Sequence, residues 1–240
     1  SMLEILYLDD YLAAVAKPPG LLVHRTGLDA GETRFALQML REQLGRPVWP
    51  AHRLDKGTSG VLLFALDADT AGAVGQQFET GHAIRKTYQA MVRGWSEAEG
   101  VIDHPLRRLR DDPRARSGAT GEVQQALTRY RTLRRMQLPL AQGRFESTRC
   151  ALVELMPLTG RRHQLRRHLK HIAHPILGDA THGKGPLNRA VAGLLGLQRL
   201  WLHAKRLELE HPATGQRLRI EAAPGDEWDL WRPFEPPAGG

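Results

Sequence analysis

Val61–Leu66 reads VLLFAL, six apolar residues in a row. A run this short falls far below the roughly 18 residues that a membrane-spanning helix needs, and its length and composition predict a buried strand. The nine residues before it, HRLDKGTSG (52–60), set Asp55 between Arg53 and Lys56 and follow it with small polar residues. A carboxylate flanked by cations thus lies in a turn at the mouth of a buried strand.

The other elements are read outward from that strand. Asp67 or Asp69 caps a helix running to about Thr80, closed by Gly81, and Thr87–Val92 is the next strand. Upstream, Glu4–Asp9 and Leu12–Lys17 form two strands around a tight turn at Asp9-Asp10. Ala36, Leu37, Leu40 and Leu44 share one face of a helix over 33–44, with Gly45 just beyond it. Further strands are expected at 125–135 and 149–156, helices at 161–172 and 188–197, and a hairpin joining Leu200–Leu209 to Arg217–Glu221. RRLRDDPRARSGATG (107–121) reads as a polar surface loop, and the tail PFEPPAGG as a loose end. There is no internal repeat and no strict strand–helix alternation. The expectation is α+β, a mixed, largely antiparallel central sheet with flanking helices, in one domain spanning 1–240.

Cys150 is the only cysteine, so no disulfide can form within the chain. It sits in an apolar stretch and is expected to be a buried, inert thiol. A cytoplasmic location is the default that follows. Charge carries more information. Lys and Arg number 34 against 26 Asp and Glu, and only six of the 34 are lysines, which leaves 28 arginines. A codon bias would scatter arginines evenly, whereas phosphate binding would cluster them.

They cluster at GRRHQLRRHLKH (160–171), with Arg161, Arg162, Arg166, Arg167 and Lys170 in a stretch from Thr159 to Gly178 that holds no acid. Leu165, Leu169 and Ile172 form the apolar stripe of a helix. Arginines at a helix start oppose the macrodipole, at a cost of about 0.3–1 kcal/mol per charge. An outside anion, a buried carboxylate or both are expected to compensate, with the helix contacting phosphate and one arginine turned toward an internal acid. His163, His168, His171 and His174 lie in the same stretch, but their spacing matches no metal-ligand pattern and no metal site is expected. GDATHGK (178–184) has the spacing of a phosphate-cradling loop. It lacks the following Ser or Thr and does not follow a buried strand, so that reading is rejected.

A basic surface, a lone turn carboxylate and an arginine-rich helix point to chemistry on nucleic acid, by nucleophilic attack or proton abstraction without a metal. Here the sequence resembles a known family. HRLDKGTSG is similar to the signature of the RluA-type pseudouridine synthases. KPPG (17–20), RKTYQAMVRG around Tyr88, LTGRRHQLRRHL, HPILGDATHG and LHAKRLELEHP resemble further blocks in the same order. The resemblance implies the pseudouridine synthase fold, with a basic active-site cleft, and isomerisation of uridine in RNA with neither cofactor nor metal. It implies Asp55 as the catalytic aspartate, acting on the sugar, on the base or on a sugar proton. It implies Tyr88 stacked on the target base and Arg166 paired with Asp55. Arg53 would fill the gap left by a flipped-out uridine, offsetting a few kcal/mol of unstacking. Leu165 would line the pocket, and Lys17 and Pro18 would be structural. Arg161, Arg162, Arg167 and Lys170 remain the expected phosphate contacts.

Many members carry an N-terminal S4-like domain, for which no room is expected here. His182 stands where the family commonly has Tyr, and Arg162 where it usually has Thr. With the insert near 107–121, these features resemble the branch that modifies uridine 65 of tRNA. A ribosomal-RNA enzyme of the family, or an RNA-binding or folding protein that has kept the fold, are the alternatives. No membrane and no obligate protein partner are expected, and the chain is taken as a monomer.

Overall fold

The computed structural model describes residues 2–23, 35–110 and 121–236. In chain order the elements are β1 (Glu4–Leu8), β2 (Leu12–Lys17), α1 (Ala36–Leu44), β3 (Trp49–Pro50), β4 (Ser59–Ala65), α2 (Ala68–Thr80), β5 (Arg85–Arg93), β6 (Glu99–Asp103), β7 (Leu106–Arg107) and β8 (Val123–Gln124). After them come β9 (Leu127–Leu138), β10 (Thr148–Pro157), α3 (Gln164–His171), α4 (Gly185–Leu195), β11 (Leu202–Glu210), β12 (Arg217–Glu221) and a 3-10 helix, Asp226–Phe234. The chain forms two compact units. One gathers Ser1–Thr87 and Leu202–Gly225, the other Tyr88–Trp201 and Asp226–Gly240. Neither is a continuous stretch of sequence.

In the first unit every residue of β4 is buried, as an unbroken apolar run demands. β2 pairs with it antiparallel, Leu12 opposite Ala65, and β3 pairs antiparallel with its far end. β11 meets its near end in parallel, His203 opposite Ser59 and Ala204 opposite Gly60, and β12 folds back on β11. The β1–β2 turn is set by Asp9, whose Oδ1 accepts from the amides of Tyr11 (2.7 Å) and Leu12 (2.8 Å). α2 is capped by Asp67, which accepts from the Thr70 amide at 2.7 Å. Its buried Val74 joins Val61, Leu63, Leu207 and Ile220 in one core cluster.

In the second unit β5, β10, β9 and β6 pair antiparallel in that order. Met91, Met136, Cys150, Leu177, Val191, Trp201, Trp228 and Trp231 form its core cluster. Cys150 is fully buried, and burial pushes its thiol up to about 12 against the opposing charge of Arg93, so the expected inert thiol is what the fold holds.

Three expectations need correction. The tail is not wholly loose: Pro233 and Phe234 belong to the 3-10 helix, and Phe234 packs on the tryptophan cluster, which supplies the apolar anchor that a short C-terminal segment needs. Residues 237–240 lie outside the described residues. Arg107 is not loop but strand, because β7 pairs with β8, and the Arg108 amide donates to Glu122 O at 2.7 Å. The remainder of that stretch, 111–120, lies outside the described residues, as do 24–34, so the expected helix over 33–44 is described from Ala36. The third concerns α3, which starts at Gln164 rather than 161. His163 takes the left-handed conformation, φ 52°, and ends any helical path before it.

Candidate active site

Asp55 stands where the sequence placed it, half-buried in the turn before β4. Several contacts fix that turn. Leu54, beside it, is buried, while Arg53 and Asp55 on either side are only partly covered. His52 stacks on Phe78, ring centroids 4.5 Å apart and 8° from parallel, and its Nε2 accepts the amide of Leu63 at 3.0 Å. Burial, with the charge of Lys86 adding to it, pulls the His52 pKa from 6.5 down to about 3, so the ring is a neutral acceptor. The Thr58 amide donates back to Asp55 O at 3.0 Å. Ser59 Oγ lies 2.8 Å from His203 Nδ1, and His203 Nε2 lies 2.8 Å from Ala222 O. That carbonyl must receive an N–H, so Nδ1 accepts the serine proton. Gly60 has φ +117°, and a Cβ there would fall 2.1 Å from Ala204 O. The small residues after Asp55 therefore let β11 close on β4.

Lys17 completes the support. It is 1% exposed, and its ammonium donates to Pro18 O (2.9 Å), Leu21 O (2.6 Å) and Lys56 O (2.9 Å). The amide of Gly20 reaches the same Lys56 carbonyl at 2.7 Å. KPPG and the turn after Asp55 are thus tied through one buried cation, the structural role expected of Lys17.

The second unit holds Tyr88, Leu165 and Arg166. Tyr88 lies on β5 opposite Leu155 of β10 and is partly exposed. β10 ends two residues later at Pro157, and the chain turns into α3. Gln164 moors that turn: its Nε2 donates to Leu127 O at 3.0 Å and Thr128 Oγ1 at 2.9 Å, while its Oε1 accepts from Thr159 Oγ1 (2.6 Å) and the Arg161 amide (3.1 Å). Leu165 and Leu169 are buried, as the stripe predicted.

Arg166, 8% exposed, is gripped by Asp179. Its Nε donates to Oδ2 at 2.9 Å and its Nη2 to Oδ1 at 2.7 Å, a two-point fork. Burial works to raise the Asp179 pKa. The Arg166 bond and charge, with the amides of His182 and Thr181, outweigh it and hold the carboxyl below its ordinary value. Asp179 is the internal carboxylate that the acid-free helix required. The sequence pointed to such a group but not to this residue. The signal was the Gly-Asp of HPILGDATHG, one residue beyond the acid-free stretch.

The remaining cations divide. Arg167 donates to Arg107 O (2.8 Å) and, through Nε (3.0 Å) and Nη2, to Arg162 O, bracing the turn before α3. Arg161 Nε donates to Gln125 O at 2.8 Å, and Lys170 is exposed. The histidines also disperse. His163 Nδ1 meets His182 Nε2 at 2.9 Å, His168 bridges Thr128 Oγ1 and His104 O, His171 stacks on His104, and His174 bonds Arg93 O. Among the described residues no group of three or more His, Cys, Asp or Glu is placed to hold a metal ion.

The class is now defined: the chain belongs to the RNA pseudouridylate synthase family, whose profile matches residues 11–171, and it is an isomerase of uridine in RNA. More particularly, it is 50% identical over 230 residues to "tRNA pseudouridine synthase C" of Vibrio cholerae, covering 95% of this chain and 93% of that protein. The Salmonella typhimurium protein of the same name is also 50% identical, covering 95% of this chain and 87% of its own length. Among solved structures, human RNA pseudouridylate synthase domain containing 1 superimposes with a TM-score of 0.73 at 26% identity, over 98% of this chain and 88% of that one.

Proposed function

We propose that the chain converts uridine to pseudouridine in tRNA, at position 65. The observation that carries the tRNA assignment is the 50% identity, over 95% of the chain, to a protein named for tRNA, and position 65 rests on the resemblance of His182 and Arg162 to that branch. The isomerisation breaks the N1–C1′ bond, joins C5 to C1′, removes the C5 proton and leaves a proton on N1. Asp55 supplies the carboxylate, and the guanidinium of Arg166 pairs with it and aims it. Tyr88 stacks on the everted base, Leu165 lines the pocket and Arg53 occupies the vacated place in the helix. Arg161, Arg162, Arg167 and Lys170 meet the phosphate backbone. The two units act as one catalytic domain, since neither is a continuous segment that could be cut away. The chain works as a cytoplasmic monomer without metal or cofactor. Among the described residues no helix is long and apolar enough to cross a membrane.

The test is to incubate the protein, with and without EDTA, with total tRNA and ribosomal RNA lacking this modification, and to map new pseudouridines. A single new site at position 65 of tRNA is expected with or without chelator. Modification confined to ribosomal RNA would replace the tRNA assignment, and loss of turnover with EDTA would overturn the metal-free mechanism.

A further inference from the structure

We propose that Trp95, Arg135 and Arg149, with Arg144 and Phe145 at the tip of the β9–β10 hairpin, form a second RNA-contact surface. It holds the phosphate backbone of the substrate away from the reacting nucleotide. This rests on the reading of the chain as an enzyme acting on RNA. Arg149 of β10 stands opposite Gln137 of β9, and Ala151 opposite Arg135, so the two arginines are diagonal neighbours on one face of the sheet. Cys150 and Met136, between them in sequence, point the other way into the tryptophan core. Both arginines are exposed. Other cations of β9 are neutralised: Arg131 bonds Glu154 at 3.3 Å and Arg134 bonds Glu235 at 2.7 Å.

Arg135 and Arg149 converge instead on one partly exposed indole. The Arg149 Cζ lies 4.1 Å from the Trp95 ring centroid and the Arg135 Cζ 5.7 Å. Trp95 is fixed by its Nε1–H, which donates to Met136 O at 2.9 Å, and Arg135 Nη2 donates to Ser96 O at 3.2 Å. Among the described residues neither guanidinium has a carboxylate partner, although Glu97 and Glu146 are exposed nearby in sequence. The ring face eases the repulsion of the two cations, and an anion between them removes it. The planar fork of a guanidinium matches phosphate. The hairpin tip repeats the pairing of cation and ring. Gln142 and Phe145 exchange two backbone hydrogen bonds of 2.9 Å, which makes a tight turn at Gly143-Arg144. Phe145 is 61% exposed, with the Arg144 Cζ 5.3 Å from its centroid, a platform on which a base can stack. Tyr88 stands opposite Leu155, so at the rise of a strand Arg149 lies roughly 20 Å along the sheet from it. The surface therefore adds affinity for RNA outside the flipped nucleotide, independent of base sequence.

The test is the double variant Arg135→Gln/Arg149→Gln, assayed on full-length tRNA over a range of salt. KM and Kd are expected to rise about tenfold while kcat at saturating RNA is retained. The slope of log affinity against log salt should become shallower by about 1.4–1.8, from 0.7–0.9 per lost phosphate contact. Phe145→Ala should raise Kd about threefold without changing that slope. Arg131→Gln/Arg134→Gln makes the same charge change on the same strand and is expected to keep affinity and slope within about twofold of wild type. Thermal melts accompany each variant. Wild-type KM and slope in Arg135→Gln/Arg149→Gln overturn the proposal. So does an equal loss in Arg131→Gln/Arg134→Gln, which would make the effect one of net charge alone. If the double variant does not fold, Arg149→Gln carries the test by itself, with about a threefold rise in KM expected and wild-type KM overturning the proposal. Absence of both binding and turnover by the wild type on tRNA and ribosomal RNA is a different failure, which removes the reading beneath this one.

Discussion

Replacing Lys17 by Met keeps the length of the side chain and deletes its charge. Three carbonyls lose a donor, and one of them, Lys56 O, keeps the amide of Gly20. The other two, Pro18 O and Leu21 O, face the loss directly, at about 1–3 kcal/mol each for a buried acceptor stripped of its donor. Relief from burying an ammonium offsets part of this. The net expectation is a loss of about 2–4 kcal/mol, which for a chain of this size lowers Tm by roughly 5–15 °C. Because one of the three carbonyls belongs to KPPG, the second is that of Leu21 directly after it and the third follows Asp55, turnover measured well below the new Tm should also fall, with RNA affinity retained. Circular-dichroism melts and single-turnover assays read the two effects separately. A Lys17→Met protein within about 0.5 kcal/mol of wild type, at full activity, would refute the idea that this cation braces the Asp55 turn.

Asp55→Asn is expected to abolish isomerisation and leave RNA affinity within about twofold, read by modification mapping and filter binding; residual turnover near wild type would shift the chemistry to another group. Gly60→Ala meets both a positive φ and the Ala204 carbonyl, so a destabilisation of at least about 2 kcal/mol is expected in denaturant titrations. His52 is held neutral by burial, with its pKa at about 3 instead of 6.5. Its unfolded form therefore binds a proton that the folded form refuses. The stability from the neutral ring is complete above pH 6.5 and is lost as pH falls toward 3, at up to about 1.4 kcal/mol per unit. His52→Gln should flatten the stability profile over that window by up to one proton, and an unchanged slope would contradict the assignment. RNA affinity should drop steeply with added salt as phosphate contacts release counterions, and a flat dependence would remove the arginines from the interface.

Much of this could be read from local pattern. VLLFAL announced a strand buried on both faces, and the Leu165–Leu169 stripe placed a helix, because burial periodicity is written in neighbouring residues. The place of Asp55 in the turn before β4 was legible for a similar reason, since that turn is made by its own chain neighbours. Partners distant in sequence were not. Nothing near residue 52 says that its imidazole will sit on Phe78, and nothing near Lys17 names the Lys56 carbonyl. The missing counter-charge of α3 was inferred as a deficit, yet its source is 13 residues from Arg166 and becomes visible only when the loop closes. The start of α3 was misplaced because a left-handed histidine leaves no trace in hydrophobic spacing.

β4 receives β11 only after a long wait. Ser59 and the His203 that bonds it are 144 residues apart. At ribosomal speeds of about 5–20 residues per second, that interval lasts roughly 7–30 s. For that time β4 is paired by β2, Lys17 opposite Gly60, while its other side at Ser59 and Gly60, beside Asp55, awaits β11. Pairing of β4 with β11 is thus among the last events of synthesis, and how long that side of the strand waits is set by translation.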